Sequence, residues 1–333
     1  MLTLNALRRN WKPILLLMLV SPLLAEVFSG SMPASDYFQP GIFLPFTIFV
    51  YGLPILVLRE LAAHRRVGLL GLWGLGIIYG LFNEGLISET LYHPLDPANP
   101  AYDSYGLVAG LRIPWTLFIL PWHGVFSLVT PVVLIDFLFP GQAGRPWLPK
   151  KATWVLAIVT GGLAVARFVF WGENRTVQES GVFALQAAIV LGIGVLAYLL
   201  ADRLPRPLYI ASDRRPVLWK PFAAGAALYA AWFVGTELLV SIVRPPWPIT
   251  ALYTVAAVTV GLWLISRRRE IRPTTAAAFV LGIGTAQAAV TVLLNGLLVA
   301  DTFRAASGAV FITIYLITLS KVGAQRRTAD YPE

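Results

Sequence analysis

Ten apolar runs, each close to the length of a bilayer crossing, constrain this chain more than any other feature. They cover residues 13–30, 41–60, 67–91, 112–139, 152–171, 181–201, 219–243, 248–266, 274–298 and 305–321. A helix needs about 20 apolar residues to cross the hydrocarbon. There every backbone N–H and C=O must find its partner within the protein. A β-barrel would show short alternating segments, whereas these runs are continuous. The expected fold is all-α, a polytopic helical membrane bundle of about ten transmembrane helices. The chain is 57% hydrophobic and 13% charged, against about 25% charged in soluble domains, so two soluble domains are excluded.

The chain reads as a single membrane domain, 1–333, with sub-bundles 1–201 and 219–323 joined by the loop 202–218. Val190-Leu191-Gly192-Ile193-Gly194 recurs as Val280-Leu281-Gly282-Ile283-Gly284. In so Val-, Leu- and Gly-rich a chain that match is expected by chance, and the halves are otherwise unlike. The first run follows Arg8, Arg9 and Lys12, as a signal peptide's would. Glu26 and the lack of an A-x-A site predict a retained helix instead.

There is no cysteine, which excludes disulfides, thiolate catalysis and cysteine-ligated metals. With only His64, His93 and His123 and no H-E-x-x-H pair, neither metal nor cofactor is expected. The net charge is +9, but the basic residues sit between apolar runs. They predict topology and contact with membrane lipids, through anionic headgroups, and no nucleic-acid partner. With the N-terminus inside, 21 of 26 Lys and Arg fall in cytoplasmic segments. Arg112, Arg167, Arg175, Arg244 and Arg304 remain on the outer side. The expectation is a prokaryotic cell membrane protein with both termini cytoplasmic. The longest outside loop, Tyr92 to Gly106, carries Pro94, Pro97 and Pro100, which predict a helix-free cap or lid.

Polar residues inside the runs are site candidates, because ionisable groups in hydrocarbon are costly. With a rise of 1.5 Å per residue, Glu26, Glu84, His123, Arg167, Gln186 and Glu237 share a slab roughly 4–9 Å outside the midplane. Gln287 lies near the centre and Asn295 further out. Gly76, Gly80, Glu84 and Ser88 repeat every four residues, and Gly76-x-x-x-Gly80 permits close helix approach. Thr116, His123, Ser127 and Thr130 form a second stripe, Gln287, Thr291 and Asn295 a third, and Tyr229, Phe233, Glu237 and Ser241 a fourth. Glu84 and His123 are the expected reactive pair, with Glu26, Asn83, Ser88, Arg112, Ser127, Arg167, Gln186, Glu237, Gln287 and Asn295 as binding candidates. The plainer alternatives are ion pairs of Glu84 and Glu237 with Arg167 or Arg112, and a core histidine bonded to Ser127. Arg59-Glu60 and Asp136 read as interfacial anchors. Trp11, Trp147, Trp171, Trp219 and Trp247 read as an aromatic belt.

Arg59-Glu60-Leu61, Tyr79-Gly80-Leu81-Phe82-Asn83-Glu84-Gly85-Leu86 and Trp122-His123-Gly124-Val125-Phe126-Ser127, with Pro131 and Phe139-Pro140, resemble a family of uncharacterised prokaryotic multi-pass membrane proteins. The likeness covers roughly residues 20–150 and implies membrane location only. A remoter resemblance is to the CAAX-protease and bacteriocin-processing intramembrane proteases, whose motif is E-E-x-x-x-R with downstream histidines. It implies Glu84 as the water-activating base and His123 as its partner. Asn83 replaces one glutamate, Ser88 stands at the arginine position, and no histidine follows His123.

Three functions follow as expectations. The first is a transporter-like or solute-binding protein with a small solute or proton as partner. The second is an intramembrane glutamate-dependent hydrolase. The third is a structural or partner-binding membrane protein. The topology is testable directly, since the native chain offers no thiol background. Cysteines introduced at Arg145 or Arg214 are expected to resist an impermeant thiol reagent in intact cells. Ready labelling there reverses the orientation.

Overall fold

The computed structural model describes residues 2–93, 100–171, 177–200, 203, 208–209, 217–266, 270–271, 273–294, 296 and 302–324. Eight helices are long and apolar enough to cross a bilayer: α1 (Arg8–Val27), α2 (Pro40–His64), α3 (Leu69–Ile87), α4 (Ile113–Leu138), α5 (Lys150–Phe170), α6 (Glu179–Leu200), α7 (Trp219–Val243) and α9 (Pro273–Leu293). Two shorter apolar helices, α8 (Trp247–Gly261) and α10 (Arg304–Ser320), fall on the other two expected runs. Among the described residues strands occur only as two-residue pairs. Leu107–Val108 lies antiparallel to Leu111–Arg112, and Leu208–Tyr209 parallel to Glu270–Ile271. The chain is an all-helical multi-pass membrane protein.

Burial sorts the helices. In α4, 94% of the apolar window is buried, against 11% in α6 and 22% in α5 and in α7. Thus α4 is the central post, while α5, α6 and α7 turn Ile158, Phe170, Leu191 and Ile242 outward. On a membrane protein that outward apolar surface is where lipid lies. The buried apolar core runs unbroken from Ile14 to Tyr315. Most of the loop 202–218 lies outside the described residues. Hydrogen bonds cross the division between 1–201 and 219–323. Tyr102 Oη reaches Glu237, Tyr105 Oη reaches Pro245 and Thr250, and Thr291 Oγ1 reaches the Phe28 and Ser29 carbonyls.

Without a hydrophobic force between helices in lipid, small residues that let backbones meet decide the packing. Gly76 faces the Gly124 backbone and Gly80 faces Leu120, so α3 lies directly on α4. Gly225 and Gly282 play the same part between α7 and α9.

Several helices widen into π turns: Leu23–Val27 in α1, Phe46–Val50 in α2, Asn83–Ile87 in α3 and Gly124–Val129 in α4. Pro22, Pro45 and Pro121 stand at or just before three of them. A proline removes one ladder donor and pushes on the carbonyl four residues back, and an inserted residue relieves that clash. Such bulges recur at functional sites.

Three expectations are corrected. The proline-rich loop does hold a helical turn, Pro100–Asp103, because proline at the first helical position lacks a donor that has no partner there anyway. Residues 94–99 lie outside the described residues. Arg59, Glu60 and Asp136 are not interfacial anchors but buried, Glu60 completely. The chain after α4 folds back on them. Glu60 accepts the Trp147 and Leu148 amides at 2.9 and 2.8 Å, and Arg59 donates to the Arg145 carbonyl at 2.6 Å. Trp147 leaves the expected aromatic belt for the same reason. It is buried beneath the Arg59 guanidinium, 3.5 Å from the ring centroid.

The α3–α4 contact predicts a contrast between two nearby glycines. A methyl at Gly76 strikes the Gly124 backbone, whereas one at Gly74 meets nothing within 4 Å. Gly76→Ala is expected to destabilise the protein by roughly 1–3 kcal/mol, an overpacking cost. Gly74→Ala is expected to be neutral or slightly stabilising. Thermal unfolding in detergent compares them, and equal effects would remove the glycine contact as the determinant of packing.

Candidate functional site

The site forms where α3 ends against α4. The π turn Asn83–Ile87 closes with the Ser88 amide on the Asn83 carbonyl at 2.7 Å. Glu89 then takes a left-handed backbone, φ 62°, and the chain doubles back. That reversal lays the Thr90 hydroxyl on Glu84 Oε2. The other carboxylate oxygen, Oε1, lies 2.6 Å from His123 Nε2. On its far side His123 Nδ1 meets Ser127 Oγ at 2.9 Å. The Ser127 carbonyl in turn accepts Ser21 Oγ at 2.6 Å. Glu84, His123 and Ser127 are all buried. A continuous polar thread therefore runs from Thr90, through the acid and the imidazole, to a serine with no exposed surface.

Aromatic rings fix the imidazole. Tyr79 meets it edge-on with centroids 5.4 Å apart, and Trp122 does so at 5.2 Å. Tyr51 lies 6.4 Å away and donates to Glu26 Oε1 at 2.5 Å. The second acid thus sits one ring from the relay. Asn83 Nδ2 is placed 3.4 Å from His123 Nε2. When Nε2 donates to Glu84 it has no lone pair to offer an amide N–H. The network therefore assigns the Asn83 amide with its oxygen toward the ring.

The remaining expected residues are placed as follows. Gln186 is buried with its Oε1 against Gly85, beside the π turn. Arg112 is buried and pairs with Asp103 at 3.3 Å rather than with an acid of the slab. Arg167 pairs with Glu89 at 3.1 Å. Glu237 accepts Tyr102 Oη at 2.7 Å, two aromatic rings away from the relay. Gln287 is buried on α9, one turn before Thr291, whose hydroxyl binds the end of α1. Ser88 is exposed and outside the cluster, as is Ser241 from the α7 stripe. Asn295 lies outside the described residues. The ion pairs of Glu84 with Arg167 or Arg112 are not formed, since both arginines take acids just beyond the spans.

Sequence reasoning missed four residues: Ser21, Tyr51, Glu89 and Thr90. Glu89 follows Glu84 by five residues and the outer loop lacks basic residues, so a counter-ion on a neighbouring helix was the available signal. Nothing local marks Tyr51.

The relay is not self-sufficient. Among the described residues Thr130 Oγ1, Gln186 Oε1 and Gln287 Oε1 are buried without a hydrogen-bond partner, as is the Asn83 amide atom turned away from the ring. Each such atom costs about 1–3 kcal/mol. Over the site lies the segment 100–112, strapped down by Tyr102 and Tyr105. Burial first, then the Glu237 carboxylate, raises the Tyr102 phenol above its usual range, so it stays a donor throughout physiological pH. Trp115 Nε1 donates to Thr90 Oγ1 at 3.2 Å and its ring meets Tyr102 edge-on. Strap and relay are thus joined. Tyr102→Phe is expected to cost about 1.5–3 kcal/mol, the range for hydrogen bonds to charged groups. Faster amide exchange should be confined mainly to 100–112 and 245–250. Unchanged exchange there would show that the strap is held by packing alone.

Comparison with known proteins bears on this site only through the family. No curated protein and no solved structure matches the chain. One family model does, described as an uncharacterized membrane protein family, and it spans residues 15–322. The match takes in α3, α4 and every residue of the relay, and the chain belongs to that family.

Proposed function

We propose that this is a proton-linked solute-binding or transport protein, with the Glu84–His123 pair as its proton-carrying site, reached from the Thr90 end. The carrying observation is the 2.6 Å contact between a buried carboxylate and a buried imidazole. The proton between them has two sensible positions, on Nε2 or on Oε1; in the second Nδ1–H donates to Ser127, and in the first Ser127 can accept from or donate to Nδ1. Histidine changes charge near neutral pH, and intramembrane acid–histidine chains mark proton paths. The unpartnered Gln186 and Thr130 oxygens beside the relay support a site completed by a ligand. Orientation by the positive-inside rule makes the Thr90 end the outer one.

A second reading, a glutamate-dependent membrane hydrolase, draws on the same acid–imidazole contact. It fits less well. Glu84 is buried, with His123 on one carboxylate oxygen and Thr90 on the other, so an attacking water would have to share an oxygen already engaged. The Ser127 hydroxyl shares the connectivity of a nucleophile–histidine–acid chain but has no exposed surface to meet an acyl group.

The test separates proton traffic from structure. His123, unlike arginine, can give up its proton, so Glu84→Gln leaves a neutral pair that still hydrogen-bonds. Its stability loss is expected to be about 1 kcal/mol, together with loss of the proton uptake expected of wild-type protein in nanodiscs. His123→Ala should lose that uptake as well. A loss nearer 3–5 kcal/mol, the figure for breaking a permanently charged buried pair, with unaltered proton uptake, would sink the proposal. Glu84-dependent cleavage of a quenched membrane-spanning peptide would favour the hydrolase.

A further inference from the structure

At the opposite end of α2, α3 and α4 the chain builds a second polar centre. Arg59 and Glu60 are buried side by side, Nη1 to Oε1 at 2.6 Å. Glu60 is saturated by Arg59 and two backbone amides. Asp136 lies further off, 3.7 Å from Arg59 Nη2, and holds the Gly144 amide with its other oxygen at 3.3 Å. Among the described residues Arg59 Nε and Asp136 Oδ1 are buried with no hydrogen-bond partner. Both residues line one cavity of about 80 Å³, together with Arg66, Val67, Leu72 and Val132.

Arg66 guards the mouth in an unusual way. The Val67 amide bonds the Ala62 carbonyl at 2.9 Å and the Arg66 amide bonds Ala63 at 3.2 Å. That is a Schellman end to α2, with Arg66 at the left-handed position that glycine normally takes. Its φ is 52°, a conformation costly for a side chain and informative where it persists. Arg66 is exposed.

We propose that this cavity binds the monoanion of a phosphomonoester, as a lipid headgroup or as a free phosphate. Arg59 is neutralised by Glu60 and Arg66 by Asp136, so the lining carries no net charge and the ligand is chosen by the hydrogen-bonding atoms left open. The ligand must accept from Arg59 Nε and Arg66 and donate to Asp136 Oδ1. A phosphomonoester monoanion carries both P–O⁻ and P–OH. A phosphodiester has no P–OH, and would set an oxygen lone pair against the carboxylate. Size agrees: at 10–15 Å³ per water-sized group, the cavity holds roughly five to eight heavy atoms, and a phosphate has five. The walls are otherwise apolar and sit at the ends of α2 and α4.

The test uses purified protein in phosphatidylcholine nanodiscs containing phosphatidic acid or, at equal charge, phosphatidylglycerol. Lipid retained after transfer to detergent is counted by native mass spectrometry. Wild-type protein is expected to prefer phosphatidic acid by roughly tenfold, the factor for one charge-assisted hydrogen bond. Arg66→Gly relieves the left-handed residue, so it should unfold at a higher temperature yet lose that lipid. Asp136→Asn keeps an acceptor for Gly144 but should erase the preference for monoester over diester. Displacement of phosphatidic acid by inorganic phosphate supports the site with free phosphate as its source, and resistance supports it with the lipid. Equal retention of the two lipids by wild-type protein, or unchanged retention in Arg66→Gly, overturns the proposal.

Discussion

The approach of α3 to α4 through Gly76 and Gly124 is the contact on which the rest depends. A Cβ at Gly76 would lie 2.5 Å from the Gly124 backbone and one at Gly124 would lie 2.6 Å from the Trp73 ring, so a side chain at either position pushes the two helices apart. Glu84 and His123 meet across 2.6 Å, a gap that tolerates no such widening. The glycines bring no chemistry of their own. They set the interaxial distance, and the distance decides whether an acid and an imidazole form a relay or two isolated buried groups. In lipid the second outcome is prohibitive, because an unpaired charge there has no water to turn to.

The two polar centres solve the same desolvation problem differently. At the Arg59 end, guanidinium, carboxylate, backbone amides and the Trp147 ring saturate Arg59 and Glu60 almost wholly. Removing one partner leaves a buried charge, so that end locks the 140–148 segment in place. At the Glu84 end the partners are a histidine, a threonine and a serine, all able to exchange donor and acceptor roles. Around them several oxygens have no partner. A saturated network rigidifies a core, and a partly saturated one marks where something binds or moves. The sequence places arginine at the first and histidine at the second, a permanent charge and a titratable one.

The spans were legible because hydrocarbon admits only continuous apolar helices, and run ends agree with helix ends within a few residues. The meeting of Glu84 with His123 was legible too, from common depth and the four-residue glycine stripe. Three things were not. Burial of Arg59, Glu60 and Trp147 depends on a loop folding back, and loop direction leaves no periodic trace. The partners of Arg112 and Arg167, Asp103 and Glu89, lie beyond the span ends, where depth counting assigns nothing. The π turns shift every later side chain by about 100°, so stripes drawn with a constant period fail past them. Ser88 is the clearest case: it continues the Gly76–Gly80–Glu84 stripe on paper but follows a π turn and faces outward.

Those turns also bear on how the two centres relate. His123 and Asp136 lie on the same helix, α4, roughly 20 Å apart at 1.5 Å per residue. At an effective dielectric of about 20, a unit charge moved at one is felt at the other by roughly 1 kcal/mol. That is a fivefold effect, enough to bias but not to switch. Any stronger link has to be mechanical and must pass through α4 between them. There the helix is least regular, with the π turn Gly124–Val129 followed at once by Pro131. Proline and a wide turn leave ladder bonds weak or missing, so this stretch bends at lower cost than an unbroken helix. The helix that joins the two polar centres is therefore also the one whose middle bends most easily.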